Sequence, residues 1–301
     1  MKNIVLFGAG ASYGSTHIQP ESPPLGGNLF EKLAKLYPAT WGALPPEYIK
    51  EFENNFESGM LKVMESGNHW ISPLMQAMTL FFSSFTPDSS GLDLYSQLIT
   101  KLKTTGGTIN TLFSTLNYEC VLELAASQQG VSVNYNELPN PANSVTVWKL
   151  HGSCNFIPNP QEISMRRGAS YAWGMTINVG LIPSSPSEAA KWVMGDTTLY
   201  PAMCMFTLNK PSQISPGVFA EYQRKWAELV LNAENVVIIG VKPHSPDKHI
   251  WEPLSVTKAK LYFVGGESEF NSWAPDRENR KTHYLGSTFA ATIGKVSDIL
   301  A

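Results

Sequence analysis

Residues 4–14 read Ile-Val-Leu-Phe-Gly-Ala-Gly-Ala-Ser-Tyr-Gly, an apolar run broken at Gly8, Gly10 and Gly14 with Ser12 placed to start a helix. A buried strand that ends this way delivers a phosphate to a helix N-terminus, where free backbone N–H groups and the positive dipole end favour an anion. Glycine suits such a loop because a Cβ would hold a pyrophosphate away from the backbone. A tight strand-to-helix turn without ligand has the same spelling, so the weight falls on residues further along. Asn117, in Ser114-Thr-Leu-Asn-Tyr-Glu119, offers both a donor and an acceptor. His151, in Lys149-Leu-His-Gly-Ser153, carries an imidazole, the side-chain type suited to general acid–base work near neutral pH. Each has a plainer use: Asn117 as the cap of a helix beginning at Tyr118, His151 as a structural imidazole at a strand end. Asp247 lies in Ser245-Pro-Asp247, a helix N-terminal signal with proline first, where capping and dipole compensation are its simplest roles. His244 and His249 are five apart, not the i, i+4 of a helical metal pair, so no metal site is expected.

Strand-like segments must position these residues. Ile4–Phe7, Thr108–Ser114, Val145–Leu150, Val236–Ile239 and Leu261–Val264 are apolar or β-branched runs, and the last two stop at Gly240 and at Gly265-Gly266. Continuous apolar runs suit strands covered on both faces. Helical stripes alternate with them: Tyr118, Val121, Leu122 and Ala125; Tyr222, Trp226, Leu229 and Val230; and Phe289, Ile293, Val296 and Leu300. The expected fold is therefore α/β, a Rossmann-like doubly wound parallel sheet. Two stretches break the rhythm. Residues of about 27–103 read as a helical insertion, with helices over Asn28–Leu36 and Pro46–Glu57, and about 155–216, rich in Pro, Ser and Met, as an irregular lid or second lobe. The whole of 1–301 is read as one domain carrying these insertions. Ligands of such sheets bind beyond the carboxyl ends of the strands. Gly8, Asn117, His151 and Gly240 each follow an expected strand, so they should meet on one rim.

Taken together, these pieces resemble the sirtuin family, and more closely its prokaryotic NAD-hydrolase branch than its protein deacylases. Gly8-Ala9-Gly10-Ala-Ser12 is similar to the family's pyrophosphate loop, Ser114–Glu119 to its Thr-x-Asn-x-Asp segment, and Lys149–Ser153 to its His-Gly motif. Val236–Gly240 with Asp247 looks like its late nucleotide-binding strand and following helix. The resemblance implies that Asn117 and His151 are catalytic, that Gly8, Ala9, Gly10, Ser12, Glu119, Gly240 and Asp247 bind the dinucleotide, and that NAD is cleaved at the nicotinamide–ribose bond. It also implies a role in antiphage defence by NAD depletion, a homo-oligomer, and a partner such as an ATPase. The departures are informative. No Cys-x-x-Cys pair exists for the deacylases' zinc ribbon, their Gly-Ile-Pro-x-Phe-Arg signature is replaced by Ser22-Pro-Pro-Leu-Gly26, and Glu119 stands where Asp is commoner. Acyl-lysine recognition is weakened more than NAD binding, so the rival readings are a deacylase and a non-catalytic nucleotide sensor.

Composition excludes other classes. A net charge of −3 from 22 basic and 25 acidic residues leaves no footprint for nucleic acid, and Arg166-Arg167 is too small a patch. Charged residues are 16% of the chain, below the ~25% of ordinary soluble domains, which favours self-association. Neither a signal peptide nor a membrane anchor is legible at the N-terminus, and the expected location is the cytoplasm. Cys120, Cys154 and Cys204 are far apart in sequence and read as isolated, reduced thiols with no zinc.

Overall fold

A computed structural model describes residues 1–66, 69–136, 138–165, 176–195, 198–204, 213–244, 246–274 and 281–301. Seven strands make one parallel sheet: β1 (Asn3–Phe7), β2 (Thr111–Thr115), β3 (Ser132–Asn134), β4 (Ser144–Lys149), β5 (Asn235–Ile239), β6 (Lys260–Val264) and β7 (Thr282–Gly286). Their order is β7-β6-β5-β1-β2-β4-β3, so the chain leaves β1 in one direction and later returns to continue on its other side. The architecture is the expected α/β doubly wound one, with the topological switch at β1. Alternation along β1 divides its side chains between two cores. Val5 and Phe7 face the larger, with Phe113, Val147 and Ile239; Ile4 and Leu6 face the other, with Leu112, Trp148, Ile238 and Phe263. All are buried, and complete burial of one such side chain is worth roughly 1.5–3 kcal/mol.

Register decides what reaches the rim. Phe7 pairs with both Thr115 and Ile239, Thr115 pairs with Lys149, and Ile239 pairs with Val264, so the strands end flush. The first residues beyond continue the ladder: the Gly8 amide donates to Ile239 O (2.9 Å), Leu116 to Phe7 O (2.9 Å), Leu150 to Thr115 O (3.0 Å) and Gly240 to Val264 O (2.9 Å). Asn117 and His151 therefore stand at equal height, two residues past their strands.

The helical insertion is present as α-helices Gly26–Leu36, Pro46–Asn54, Phe56–Glu65, Ile71–Ser83 and Leu94–Thr105, which pack into the larger core. Several local readings need correction. Pro46–Glu57 is two helices, because Asn55 is extended and its side chain caps the second by accepting from the Ser58 amide at 3.0 Å. Thr108–Asn110 belongs to a helical turn, not to β2; Gly106, at φ +77°, ends the preceding helix and the chain coils once more before extending at Thr111. β3 and β7 lack a readable strand signal, since Ser-Val-Asn is short and polar and β7 is a half-covered edge without an apolar run. Of the expected lid, 166–175, 196–197 and 205–212 lie outside the described residues, as do Arg166 and Arg167. The remainder includes a two-stranded antiparallel ribbon, Phe156–Pro158 with Leu181–Pro183, and the helix Pro186–Val193, capped by Ser185 and Glu188.

Candidate functional site

The glycine loop is built against β5. After Gly8, residues Ala9–Tyr13 form a single short helix, so Ser12 lies inside it instead of starting it. Ala9 is exposed, whereas Gly8 and Ser12 are buried. The glycines have a reason beyond the one read from sequence. A Cβ on Gly8 would stand 2.6 Å from Gly240 O, one on Gly10 would be 2.8 Å from Gly240 Cα, and one on Gly240 (φ +64°) would be 2.2 Å from the Ala11 amide. The three glycines let two loops cross in backbone contact, fastened by Gly10 N–H donating to Gly240 O at 3.0 Å.

Ser12 and Asn117 turn inward on Glu119. Ser12 Oγ donates to Glu119 Oε1 (2.6 Å), and Asn117 Nδ2 reaches Glu119 Oε1 (3.0 Å), Ser12 Oγ (3.0 Å) and Gly8 O (3.2 Å). Since the Ser12 proton goes to Glu119, the Tyr95 hydroxyl, 2.7 Å away, must be the donor to Ser12. Burial, with the Glu119 charge adding to it, pushes the Tyr95 phenol well above its ordinary range and keeps that proton in place. Glu119 Oε2 accepts the Val121 amide at 2.7 Å, at the first turn of the helix Val121–Gln128. Glu119, not Asn117, thus satisfies that helix start, and the helix begins three residues later than Tyr118. Beneath it Lys149, fully buried, donates to Glu119 O (2.6 Å) and lies 3.0 Å from Glu123 Oε1. Burial, the largest single influence on Lys149, would lower its pKa, but the Glu123 carboxylate together with Cys120 and Glu119 outweighs it and the ammonium is held above its usual range; burial raises Glu123 against the pull of Lys149.

His151 follows β4 in a turn closed by Gly152 N–H donating to Lys149 O at 3.0 Å. Gly152 is at φ +77°, and a Cβ there would fall 2.2 Å from Ala202 O, because the 198–204 segment is strapped across the turn. Ser153 N donates to Ala202 O (3.0 Å) and Cys204 N to His151 O (2.8 Å). Tyr118 fixes the same strap through its hydroxyl, which donates to Cys204 O. The His151 side chain is 3% exposed, and its Nε2 is 2.8 Å from Nε2 of His249. Asp247 completes a cluster with them: one ligating atom from each of His151, Asp247 and His249 lies within 4.8 Å of the others.

This corrects the reading of Asp247. The helix starts at Lys248, Asp247 is its N-cap residue but makes no capping hydrogen bond with its side chain, and the carboxylate belongs to the histidine cluster. Ser245 lies outside the described residues. Sequence spacing sets His249 only against His244, yet the two diverge: His244 faces Glu57 at 3.1 Å, an exposed pairing. The signal that could have found His249 is Asp247-x-His249 at a helix start beyond β5, the strand next to the glycine loop. Cys120 and Cys154 are likewise not isolated, as their sulfurs are 3.8 Å apart; all three cysteines are buried and none is in a disulfide, and the neighbouring Cys154 and burial raise the Cys120 thiol.

No family model matches the chain, and no curated protein is similar enough to it to count as a match. Among the described residues no helix is long and apolar enough to cross a membrane. Of the nine residues singled out from sequence, Gly8, Gly10, Ser12, Asn117, Glu119 and Gly240 form one continuous network at the switch point. His151 and Asp247 form the cluster beside it, and Ala9 lies exposed on the glycine loop.

Proposed function

We propose that this chain hydrolyses NAD at the nicotinamide–ribose bond, giving ADP-ribose and nicotinamide. The observation that supports this best is the meeting of the Gly8–Ser12 loop, Asn117 and His151 on one rim at the point where the strand order reverses, the place where open parallel sheets bind their ligands. Cleavage passes through an oxocarbenium-like state, as glycoside hydrolysis does, and the pyridinium leaves as neutral nicotinamide without prior protonation. What the protein must supply is a held ribose, a directed water and a base. On this reading Asn117 orients the ribose or the water while its amide keeps the glycine loop in place, and His151 takes the proton of the attacking water. Exposed Ala9 and the loop around it face the pyrophosphate, and Glu119 acts by fixing Ser12 and Asn117 from below.

One observation favours a second reading. The Asn117 amide nitrogen already has three acceptors within the protein, and the glycines are accounted for by loop packing. A nucleotide-binding subunit without turnover would look the same there. The role in antiphage defence, the homo-oligomer, the ATPase partner and the cytoplasmic location follow from the sirtuin-like resemblance and are proposed with it. The test is to incubate the purified protein with NAD, with and without an acetylated peptide, and follow nicotinamide and ADP-ribose. Release without peptide is expected. Release only with peptide would make it a deacylase, and NAD binding without release a sensor.

A further inference from the structure

We propose that His249, backed by Asp247, is a positioning residue for His151 and the route by which its proton leaves. The inference rests on the reading of His151 as the base of NAD hydrolysis. In that reaction water adds to C1′ of the ribose, the C1′–N bond breaks with its electron pair going to the nicotinamide nitrogen, and one proton from the water is left on the enzyme. That proton enters the His151 ring. His151 is 3% exposed, so each turnover leaves a charge in a buried place unless the proton is passed on.

His249 meets this need in three ways. Its Nε2 lies 2.8 Å from His151 Nε2, within the ordinary hydrogen-bond range, so one ring donates N–H and the other accepts. It is only half-buried, so it has the access to solvent that His151, at 3% exposure, does not. The Asp247 carboxylate in the same cluster favours whichever ring carries the positive charge. The imidazole pair also fixes the His151 tautomer, as a hydrogen bond at one ring nitrogen decides which nitrogen holds the proton. The same three residues are of types that bind metal. Two imidazole nitrogens on a tetrahedral zinc, each about 2.0–2.1 Å from it, stand roughly 3.4 Å apart, wider than the 2.8 Å found, and the contact is better described as N–H···N.

The experiment compares wild type, His249→Gln and His249→Ala. Histidine-selective 15N NMR on the resting protein should show a through-hydrogen-bond 15N–15N coupling between the two Nε2 atoms in wild type, lost in His249→Gln. For NAD, His249→Gln should lower kcat on the order of 10²-fold with KM unchanged, and added imidazole should restore turnover to His249→Ala. Unchanged kcat, a rise in KM alone, no rescue by imidazole, or one equivalent of zinc per chain that is lost in His249→Gln would each overturn the relay. Wild type that releases no nicotinamide would overturn the hydrolase reading instead, and the NMR coupling, present or absent, would then decide on the histidine pair.

Discussion

Beside β2, the side chains that reach the rim close on one another: Ser12, Asn117 and the Val121 amide all converge on Glu119, and Lys149 braces it from below. Beside β4 and β5, His151 from the turn after β4 meets Asp247 and His249 from the start of the helix after β5, in a cluster whose carboxylate does not cap that helix. In the first region both Glu119 carboxylate oxygens are matched by hydrogen bonds, as a scaffold requires where buried groups left unmatched cost about 1–3 kcal/mol each. The second gathers titratable groups beside the rim. Residues that share one rim therefore need not share one role. On the proposed reading, changes in the Glu119 network, with Lys149 and the glycine loops that brace it, should register as stability, and changes in the His151–Asp247–His249 cluster as turnover, Asn117 serving both.

The largest effect should come from the scaffold. Gly240→Val adds a branched side chain at φ +64° with its Cβ 2.2 Å from the Ala11 amide. A left-handed backbone costs a non-glycine residue about 1–2 kcal/mol and overpacking a further 1–3, so the two together are expected to remove on the order of 4 kcal/mol, read as a lowered denaturation midpoint. The corresponding Gly10→Val is expected to unfold the loop, not merely to weaken nucleotide binding, because its Cβ would meet Gly240 backbone at 2.8 Å. A folded Gly10→Val protein with its midpoint intact would break the comparison at once.

Lys149→Met should come next. It leaves Glu123 buried without its cation, a loss of about 3–5 kcal/mol. The pH dependence follows from the direction of the Glu123 shift. Its folded pKa is already raised by burial and rises further without Lys149, so the folded state binds more protons than the unfolded state and stability falls as pH rises. Melting the variant at pH 5 and pH 8 should show it recovering toward acid, and a flat profile would mean that water reaches Glu123. Among turnover effects, His151→Ala should lower nicotinamide release roughly 10²-fold or more while the protein melts near the wild-type temperature. A large loss of stability with activity retained per folded molecule would move His151 into the scaffold half.

Much of this division is legible in the sequence, for identifiable reasons. Val236–Ile239 and Leu261–Val264 announce themselves because strands covered on both faces read as unbroken apolar runs, and Gly8 and Gly240 because loops in backbone contact exclude every side chain. β7 is hidden because an edge strand with one face half open needs no such run. Local signals also mislead where tertiary partners intervene. Asn117 has the look of a helix cap, but Glu119 fills that place because the chain bends through Tyr118 and Glu119 before the helix begins at Val121. The pairing of His249 with His151 depends on β5 and β4 lying on opposite sides of β1 and β2, which no local spacing records.

Within the scaffold, Glu119→Gln keeps the shape and removes the charge from three hydrogen bonds, for an expected loss of about 1–3 kcal/mol. A double-mutant cycle with Ser12→Ala should return a coupling of about 0.5–3 kcal/mol, since the two are in contact, and additive losses would mean that the network is only a set of neighbours.

The smallest effect is the sharpest control. His244 lies on the connection beyond β5 and His249 in the first turn of the helix that follows it, yet His244 turns to Glu57 on the insertion at 3.1 Å and is exposed, while His249 turns to His151. An exposed pair of this kind is worth about 0–1 kcal/mol. His244→Ala should therefore melt close to wild type and release nicotinamide at a rate within about twofold of it, in contrast to the loss expected from its neighbour. If His244→Ala were as damaging to turnover as His249→Gln, the loop as a whole would be what matters, and the separation of a bracing half from a reacting half would have to be redrawn around the contact between the insertion and β5.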